Sequence, residues 1–109
     1  MICYDDFAKL EITIGEIQTV EVVEGADKLL KLTVDFGAEA GTRQIVSGIR
    51  LYFPDPQALV GKRCPFLTNL EHRTIFGIES EGMLLAAHNG DTFALLLPSV
   101  ELSVGTRVR

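Results

Sequence analysis

The chain has 109 residues, enough for one domain with a modest core, and its 47% hydrophobic and 23% charged residues are typical of a globular protein. The net charge of −5 argues against indiscriminate binding to nucleic acid, because a polyanion would have to meet a local basic patch. There is no apolar run of the roughly 20 residues that a membrane helix needs and no pattern of a secretory signal at the start, so we expect a cytoplasmic protein.

Residues 10–23 predict a long, bent first strand. Apolar and polar residues alternate along it, which is the period of a half-buried strand. The alternation changes phase just after Gly15 and returns before Val20, which indicates bulges or tight coiling. A long and bent opening strand is what a small closed barrel requires, because one strand then serves two parts of the sheet.

The rest of the chain predicts short strands separated by turns. In order, these are strand two (30–36), strand three (43–49), a helical turn (57–60), strand four (63–67), a loop (71–82), strand five (83–87) and a hairpin turn at Asn89-Gly90-Asp91 leading into 93–97. The pattern predicts an all-β fold, a five-stranded Greek-key barrel of the oligonucleotide/oligosaccharide-binding (OB) type, with a short helical turn and a C-terminal β extension. We expect a single domain over residues 1–109, with its core at about 10–90.

The sequence offers little support for catalysis. Ser80 could be paired with His72 or His88, but there is no nucleophile elbow, glycine-rich phosphate loop or metal pair at helical spacing. The two histidines are more simply interpreted as a loop residue and a turn residue. Cys3 and Cys64 lie far apart, as reduced structural thiols would. We therefore predict that the chain is not an enzyme and has no cofactor and no metal site.

Basic residues cluster on the predicted second and third strands. Lys28 and Lys31 flank the start of strand two, and Arg43 opens strand three. In a meander these strands are neighbours, so the three cations could share one barrel face with Gln44 and Ser47. Charges with hydroxyl and amide donors suit a phosphate–sugar backbone. The alternative is an ordinary solvated strand face.

A second group of polar residues surrounds the segment GIESEGM, residues 77–83. Asn69 and Arg73 precede it, and Phe76 is the one aromatic residue in a polar loop, where it could stack on a base. Ser80 can cap a turn, and Met83 begins the last barrel strand. The segment suits a tight turn and a ligand-binding lip equally well.

Six motifs in order carry a resemblance to a known family. They are Asp6-Phe7-x-Lys9, Ala26-Asp27-Lys28-Leu29, Arg43-Gln44-Ile45-Val46-Ser47-Gly48-Ile49, Leu59-Val60-Gly61-Lys62, Asn69-Leu70 and Ser80-x-Gly82-Met83-Leu84-Leu85-Ala86-Ala87. Across essentially the whole chain, the sequence resembles the tRNA-binding domain found at the C-terminus of many methionyl-tRNA synthetases, in free-standing tRNA-binding proteins and in small export-chaperone-like proteins.

The resemblance implies an OB fold, non-catalytic binding of tRNA by its shape, and homodimerisation of free-standing members through segments outside the barrel. Here those segments would be residues 1–10 and 92–109. Because Met1 opens directly into the domain, we expect a free-standing protein. The RNA-facing residues that the resemblance implies, with Arg73 added from this chain's own loop, are Lys28, Lys31, Arg43, Ser47, Asn69, Arg73, Ser80 and Met83.

The chain departs from the family pattern in the loop after Asn69-Leu70. The family usually continues with a basic Lys-Pro-x-Lys-like loop, whereas residues 71–76 read Glu-His-Arg-Thr-Ile-Phe. The His-Pro pair that usually precedes Ala-Asp-Lys is replaced by Val23-Glu24. Fewer basic residues mean fewer neutralised phosphates and a weaker salt-dependent part of the affinity.

Three functions therefore stay open at the level of sequence. The first is structure-specific tRNA binding by a homodimer. The second is binding of unfolded polypeptide by an export-type chaperone. This function is favoured by the weakened basic loop, by Phe76 and by the negative net charge of the chain. The third is a dimerisation or docking module for an aminoacyl-tRNA synthetase, with the acidic first 27 residues as the docking surface.

Overall fold

A computed structural model describes residues 1–109. The elements are α1 (Tyr4–Ala8), β1 (Ile12–Val22), β2 (Leu30–Asp35), β3 (Thr42–Ser47), two 3₁₀ turns (Arg50–Tyr52 and Pro56–Leu59), β4 (Arg63–Leu67), β5 (Arg73–Ile75), β6 (Ile78–Ser80), β7 (Met83–Leu84), β8 (Ala86–Asn89) and β9 (Thr92–Leu95). No helix has the length and apolar character needed to cross a membrane.

Five antiparallel strands form one curled sheet in the order β3-β2-β1-β4-β7. Its two edge strands come together, because the Glu81 amide donates to the Gln44 carbonyl at 2.8 Å, just before β7 begins. This is the strand order and closure of a small Greek-key barrel. The predicted all-β, OB-type fold is confirmed.

The first strand bends as its residue pattern predicts. β1 pairs with β4 through Ile12–Glu16 and with β2 through Glu16–Val22, and the register with β2 shifts between Ile17 and Thr19. Gly15 faces the inside of the bend, where an added Cβ would lie 2.6 Å from side-chain atoms of Phe36 and Val34. A glycine there lets the strand curl over a full-sized core.

Aliphatic side chains from β1 to β4 fill the barrel, with Phe66 packed edge-on against Phe36 at 5.5 Å between ring centroids. Cys64 is fully buried among them. Burial raises the pKa of the Cys64 thiol to about 11, since the thiolate would lose its hydration. Cys3, by contrast, is exposed.

The structure differs from the sequence prediction around the last barrel strand. Residues 71–82 contain the two-stranded hairpin β5–β6 rather than an open loop. The predicted strand over 83–87 is divided at Leu85, whose amide donates to the Pro65 carbonyl at 3.1 Å. β7 therefore completes the barrel, while β8 leaves it to pair with β9 as the predicted C-terminal hairpin.

The C-terminal segment lies against the first half of β1, and the N-terminal helix borders that segment. The amides of Gly105 and Val108 donate to the carbonyls of Ile14 and Ile12 at 2.8 and 2.9 Å, so the C-terminal segment adds a short strand-like contact. The N-terminal α1 was not predicted from the sequence. Its first turn is capped at Cys3, and hydrogen bonds from the Cys3 amide and thiol hold the pKa of Asp6 below its ordinary value.

Candidate nucleic-acid interface

The outer face of β2 and β3 carries the first part of the predicted site. Lys31 stands directly across from Val46 in the β2–β3 register, so both side chains leave the same face of the sheet. On its other side, Lys31 pairs with Glu21 of β1, with Nζ 2.8 Å from Oε2. The carboxylate holds the ammonium group in place and also offsets part of its charge.

The β5–β6 hairpin packs over the same end of β3. Its pairing begins at Arg73 opposite Ser80, and the Ser80 hydroxyl accepts a hydrogen bond from the Val46 amide at 3.0 Å. A cavity of about 50 Å³ lies between hairpin and sheet. Its lining residues are Val46, Leu70, Glu71, Arg73, Ile75, Ser80, Gly82 and Met83. We call this the hairpin cavity.

The hairpin cavity brings three of the predicted residues to one place. Arg73, Ser80 and Met83 line it, and Lys31 lies on the neighbouring strand, directly across from the lining residue Val46. Ser80 is only 4% exposed, and its hydroxyl donates to the Gly82 carbonyl at 3.1 Å. Because the hydroxyl is engaged within the chain on both sides, Ser80 shapes the wall of the cavity.

Lys28 and Ser47 lie at the adjoining end of the barrel. Ser47 ends β3 opposite Leu30, and Lys28 is exposed in the β1–β2 loop. The Lys28 carbonyl accepts a hydrogen bond from the amide of Arg50 at 3.2 Å. Arg50 is therefore a further cation at this end. It was not predicted from the sequence, because it lies in the 3₁₀ turn after β3 and outside any strand pattern.

Arg43 and Asn69 point away from the hairpin cavity. Arg43 Nη1 donates to the carbonyls of Thr68 and Glu81, and so joins β3 to the segments on either side of the hairpin. Asn69 holds the N-terminal segment, accepting from the Glu11 amide at 2.8 Å and donating to the Lys9 carbonyl at 2.7 Å. Both side chains therefore form hydrogen bonds with backbone groups of the chain itself.

An exposed aromatic ring stands at the tip of the hairpin. Phe76 is 61% exposed and adopts a positive φ of 52°, followed by Gly77 at 76°. Two successive positive φ values are those of a two-residue type I′ turn, which normally takes Asn-Gly. The ring reaches toward the β1–β2 loop, since a Cβ on Gly25 would lie 3.5 Å from it. A phenylalanine in this backbone conformation is strained, and it presents a flat apolar surface beside the β1–β2 loop, which carries Lys28.

Comparison with known proteins identifies the family to which the chain belongs. The family model described as a putative tRNA binding domain matches residues 12–107. The chain belongs to this family.

The similar proteins are of two kinds, methionine–tRNA ligases with a related protein, and chaperones. The methionine–tRNA ligase of Methanoregula boonei is 49% identical over 109 residues, which is 100% of this chain but 16% of that ligase. Among solved structures, the MetRS-related protein from Pyrococcus horikoshii superposes with a TM-score of 0.92 at 36% identity, covering 100% of this chain and 98% of that one. The chaperone CsaA of Bacillus anthracis superposes with a TM-score of 0.88 at 27% identity, covering 100% and 99%.

Proposed function

We propose that this domain binds tRNA by its backbone shape, on the surface formed by the outer face of β2 and β3, the hairpin cavity and Phe76. The observation that carries the proposal is that Arg73 lines the hairpin cavity together with Val46, while Lys31 lies directly across from Val46 on β2, in a chain whose family is described as tRNA-binding. Lys28 and Arg50 extend the same positive track around the barrel end. Phosphates along an RNA strand would meet these cations, and Phe76 would stack on an exposed base.

A binding role without a catalytic step of its own is supported by how the candidate nucleophile and bases are used. The Ser80 hydroxyl donates to the Gly82 carbonyl, and His88 Nε2 lies 3.0 Å from the Tyr52 hydroxyl. His72 Nδ1 lies 3.7 Å from a Glu79 carboxylate oxygen. None of these pairs joins a serine to a histidine as acyl transfer would require.

We further propose that the domain works as a homodimer. An apolar cavity of about 280 Å³ lies between the barrel and the C-terminal segment. Its lining includes Ile12, Pro65, Leu97 and Val108, and Leu97 is 53% exposed. A second copy covering this apolar groove would remove it from water, in line with the dimerisation expected for segments 1–10 and 92–109.

The test of RNA binding is a salt series with purified protein and total tRNA. We expect log affinity to fall linearly with log salt, and the variant Lys28→Gln/Lys31→Gln/Arg73→Gln to lower the slope by about 2–3, since each phosphate contact contributes nearly one unit. Lys62→Gln is the control, because Lys62 is exposed but lies outside the proposed surface, beside Arg63 and Pro98. A flat slope in the parent protein, or equal slopes in both variants, would refute the proposal.

Polypeptide binding is the second candidate, favoured by the exposed Phe76 and by the chaperone among the similar structures. An unfolded chain would then occupy the hairpin cavity through apolar contacts, and its affinity would be insensitive to salt. Competition distinguishes the two functions: under the first, unlabelled tRNA displaces labelled tRNA and a reduced, unfolded polypeptide does not. Displacement by the polypeptide alone would favour the second.

A further inference from the structure

The outer face of the β5–β6 hairpin gathers three potential metal ligands. Antiparallel pairing of Arg73 with Ser80 and of Thr74 with Glu79 places His72 opposite Glu81 and diagonal to Glu79. Alternation along the two strands then puts these three side chains on one face, while Arg73 and Ser80 turn to the hairpin cavity on the other. One ligand atom from each of His72, Glu79 and Glu81 lies within 4.8 Å of the other two.

Contacts with β3 hold the carboxylate of Glu81 and the backbone of Glu79 in position. The Glu81 carboxylate accepts a hydrogen bond from the Gln44 amide at 2.9 Å, through Oε1. The Gln44 side chain donates to the Glu79 carbonyl, also at 2.9 Å. The backbone that carries both carboxylates is therefore tied to a barrel strand, and side-chain rotation alone can adjust the ligand atoms.

The two carboxylates lack a cationic partner from lysine or arginine. Glu79 forms its only ion-pair contact with His72, at 3.7 Å from Nδ1, and Glu81 forms none. Arg43 contacts the Glu81 carbonyl rather than its carboxylate. Two neighbouring carboxylates that no lysine or arginine balances favour capture of a cation.

We propose that His72, Glu79 and Glu81 form a binding site for a divalent transition-metal ion, with Zn²⁺ as the best-suited ion. Imidazole nitrogen with two carboxylate oxygens is a ligand set that Zn²⁺ accepts, whereas Mg²⁺ and Ca²⁺ prefer oxygen ligands alone. Ligand distances of about 2.0–2.2 Å to the ion require the three atoms to move closer together by small rotations. Water would complete the coordination, because the site opens to solvent.

Metal binding at this site is independent of RNA binding. A bound dication would neutralise the two carboxylates on the outer face of the hairpin and cross-link the residue before β5 to the residue after β6. We therefore expect the metal to make the hairpin more rigid and its surroundings less negative, whichever ligand the domain carries.

The experiment is calorimetric titration with Zn²⁺, supported by the visible absorption of Co²⁺ bound in its place. All proteins carry Cys3→Ser, since the exposed Cys3 thiol is a competing ligand and serine can still cap α1. We expect one ion per chain, and binding weaker by more than about 100-fold in His72→Ala and in Glu79→Gln/Glu81→Gln, since even partners of metal ligands are worth 10–100-fold.

The matched controls are His88→Ala and Glu71→Gln, which remove the other histidine and a neighbouring acid that is not in the cluster. Both should bind Zn²⁺ as the parent does. Chemical-shift changes on Zn²⁺ addition should be confined to residues 71–82 and the adjacent β3. Parent binding no tighter than that of His72→Ala, or equal loss in His88→Ala, would overturn the proposal. Unchanged far-ultraviolet circular dichroism establishes that each variant is folded.

Discussion

Individual polar residues in this domain serve the barrel as much as its surface. Three of the predicted RNA-facing residues form hydrogen bonds with backbone groups of the chain itself: Arg43, Asn69 and Ser80. A motif residue next to a ligand surface can be needed because it positions that surface. The sequence motif alone does not separate these roles, since both require the same side chain at the same place.

Cys64 makes a testable prediction at the scale of one residue. Its thiol has a pKa of about 11 in the folded protein, against 9.0 when unperturbed. Below pH 9 both states keep the proton and stability is unaffected. Above pH 9 the unfolded state releases the proton first, so the free energy of unfolding should fall as the pH rises toward 11, by up to about 2 kcal/mol. Urea unfolding between pH 8 and 11 measures this.

Cys64→Ala is the control for this titration, because it removes the thiol while every other group still titrates. The variant should begin less stable, owing to the lost core volume, but its stability should fall less steeply above pH 9 than that of the parent. Parallel curves for the two proteins would contradict the raised pKa. At neutral pH we also expect a thiol reagent to modify Cys3 and to reach Cys64 only after unfolding.

Among the elements, the barrel strands could be predicted and the hairpin could not. β1 to β4 each span five or more residues and are separated by glycine or proline turn signals, so their type and order follow from pattern. Each hairpin strand has three residues, too few for a period. The turn that joins them has Phe76 where Asn is usual, so the common signal is missing as well. The α1 helix, with five residues, is short for the same kind of detection.

The candidate site, too, could be predicted from the sequence only in part. Lys31 and Arg43 could be placed on neighbouring strands because the β2–β3 meander was predictable. The hairpin cavity could not be foreseen, because it depends on β5–β6 folding back over Val46. The hydrogen bonds from Arg43 and Asn69 to backbone groups could not be foreseen either, because they join residues 25 or more positions apart in the sequence.

The hairpin turn predicts opposite effects on stability and on binding. Phe76→Asn should raise the free energy of unfolding by about 0.5–1 kcal/mol, since asparagine tolerates the positive φ that strains phenylalanine. The same change should weaken tRNA binding by about 1–3 kcal/mol, through loss of a stacking surface. Chemical denaturation and a binding titration measure the two effects.

Phe76→Leu separates strain from stacking. It keeps the strained backbone and an apolar side chain but has no aromatic face, so stability should stay near that of the parent while tRNA affinity falls. If Phe76→Asn lowers stability, the turn is not strained as described. If both variants bind tRNA as the parent does, Phe76 is not part of the binding surface.

For the whole molecule, the exposed apolar groove predicts the oligomeric state. Leu97→Glu should convert the proposed dimer to a monomer, because it would bury a charge against Ile12 and Val108 of the groove lining. Sedimentation equilibrium over a concentration series measures this. Leu51→Glu is the control: Leu51 is also exposed, at 67%, but lies on a 3₁₀ turn outside the groove. A parent protein that sediments as a monomer, or dissociation in both variants, would refute the dimer.

The sharing of β1 among several partners has a consequence for how the chain unfolds. That one strand holds β2, β4 and the C-terminal segment, so removing it leaves each of them without a neighbour on that side. No half of the barrel can persist as a folded intermediate once β1 detaches. The slowest-exchanging amide protons of β2 and β4 should accordingly be released together, in a single cooperative event rather than strand by strand.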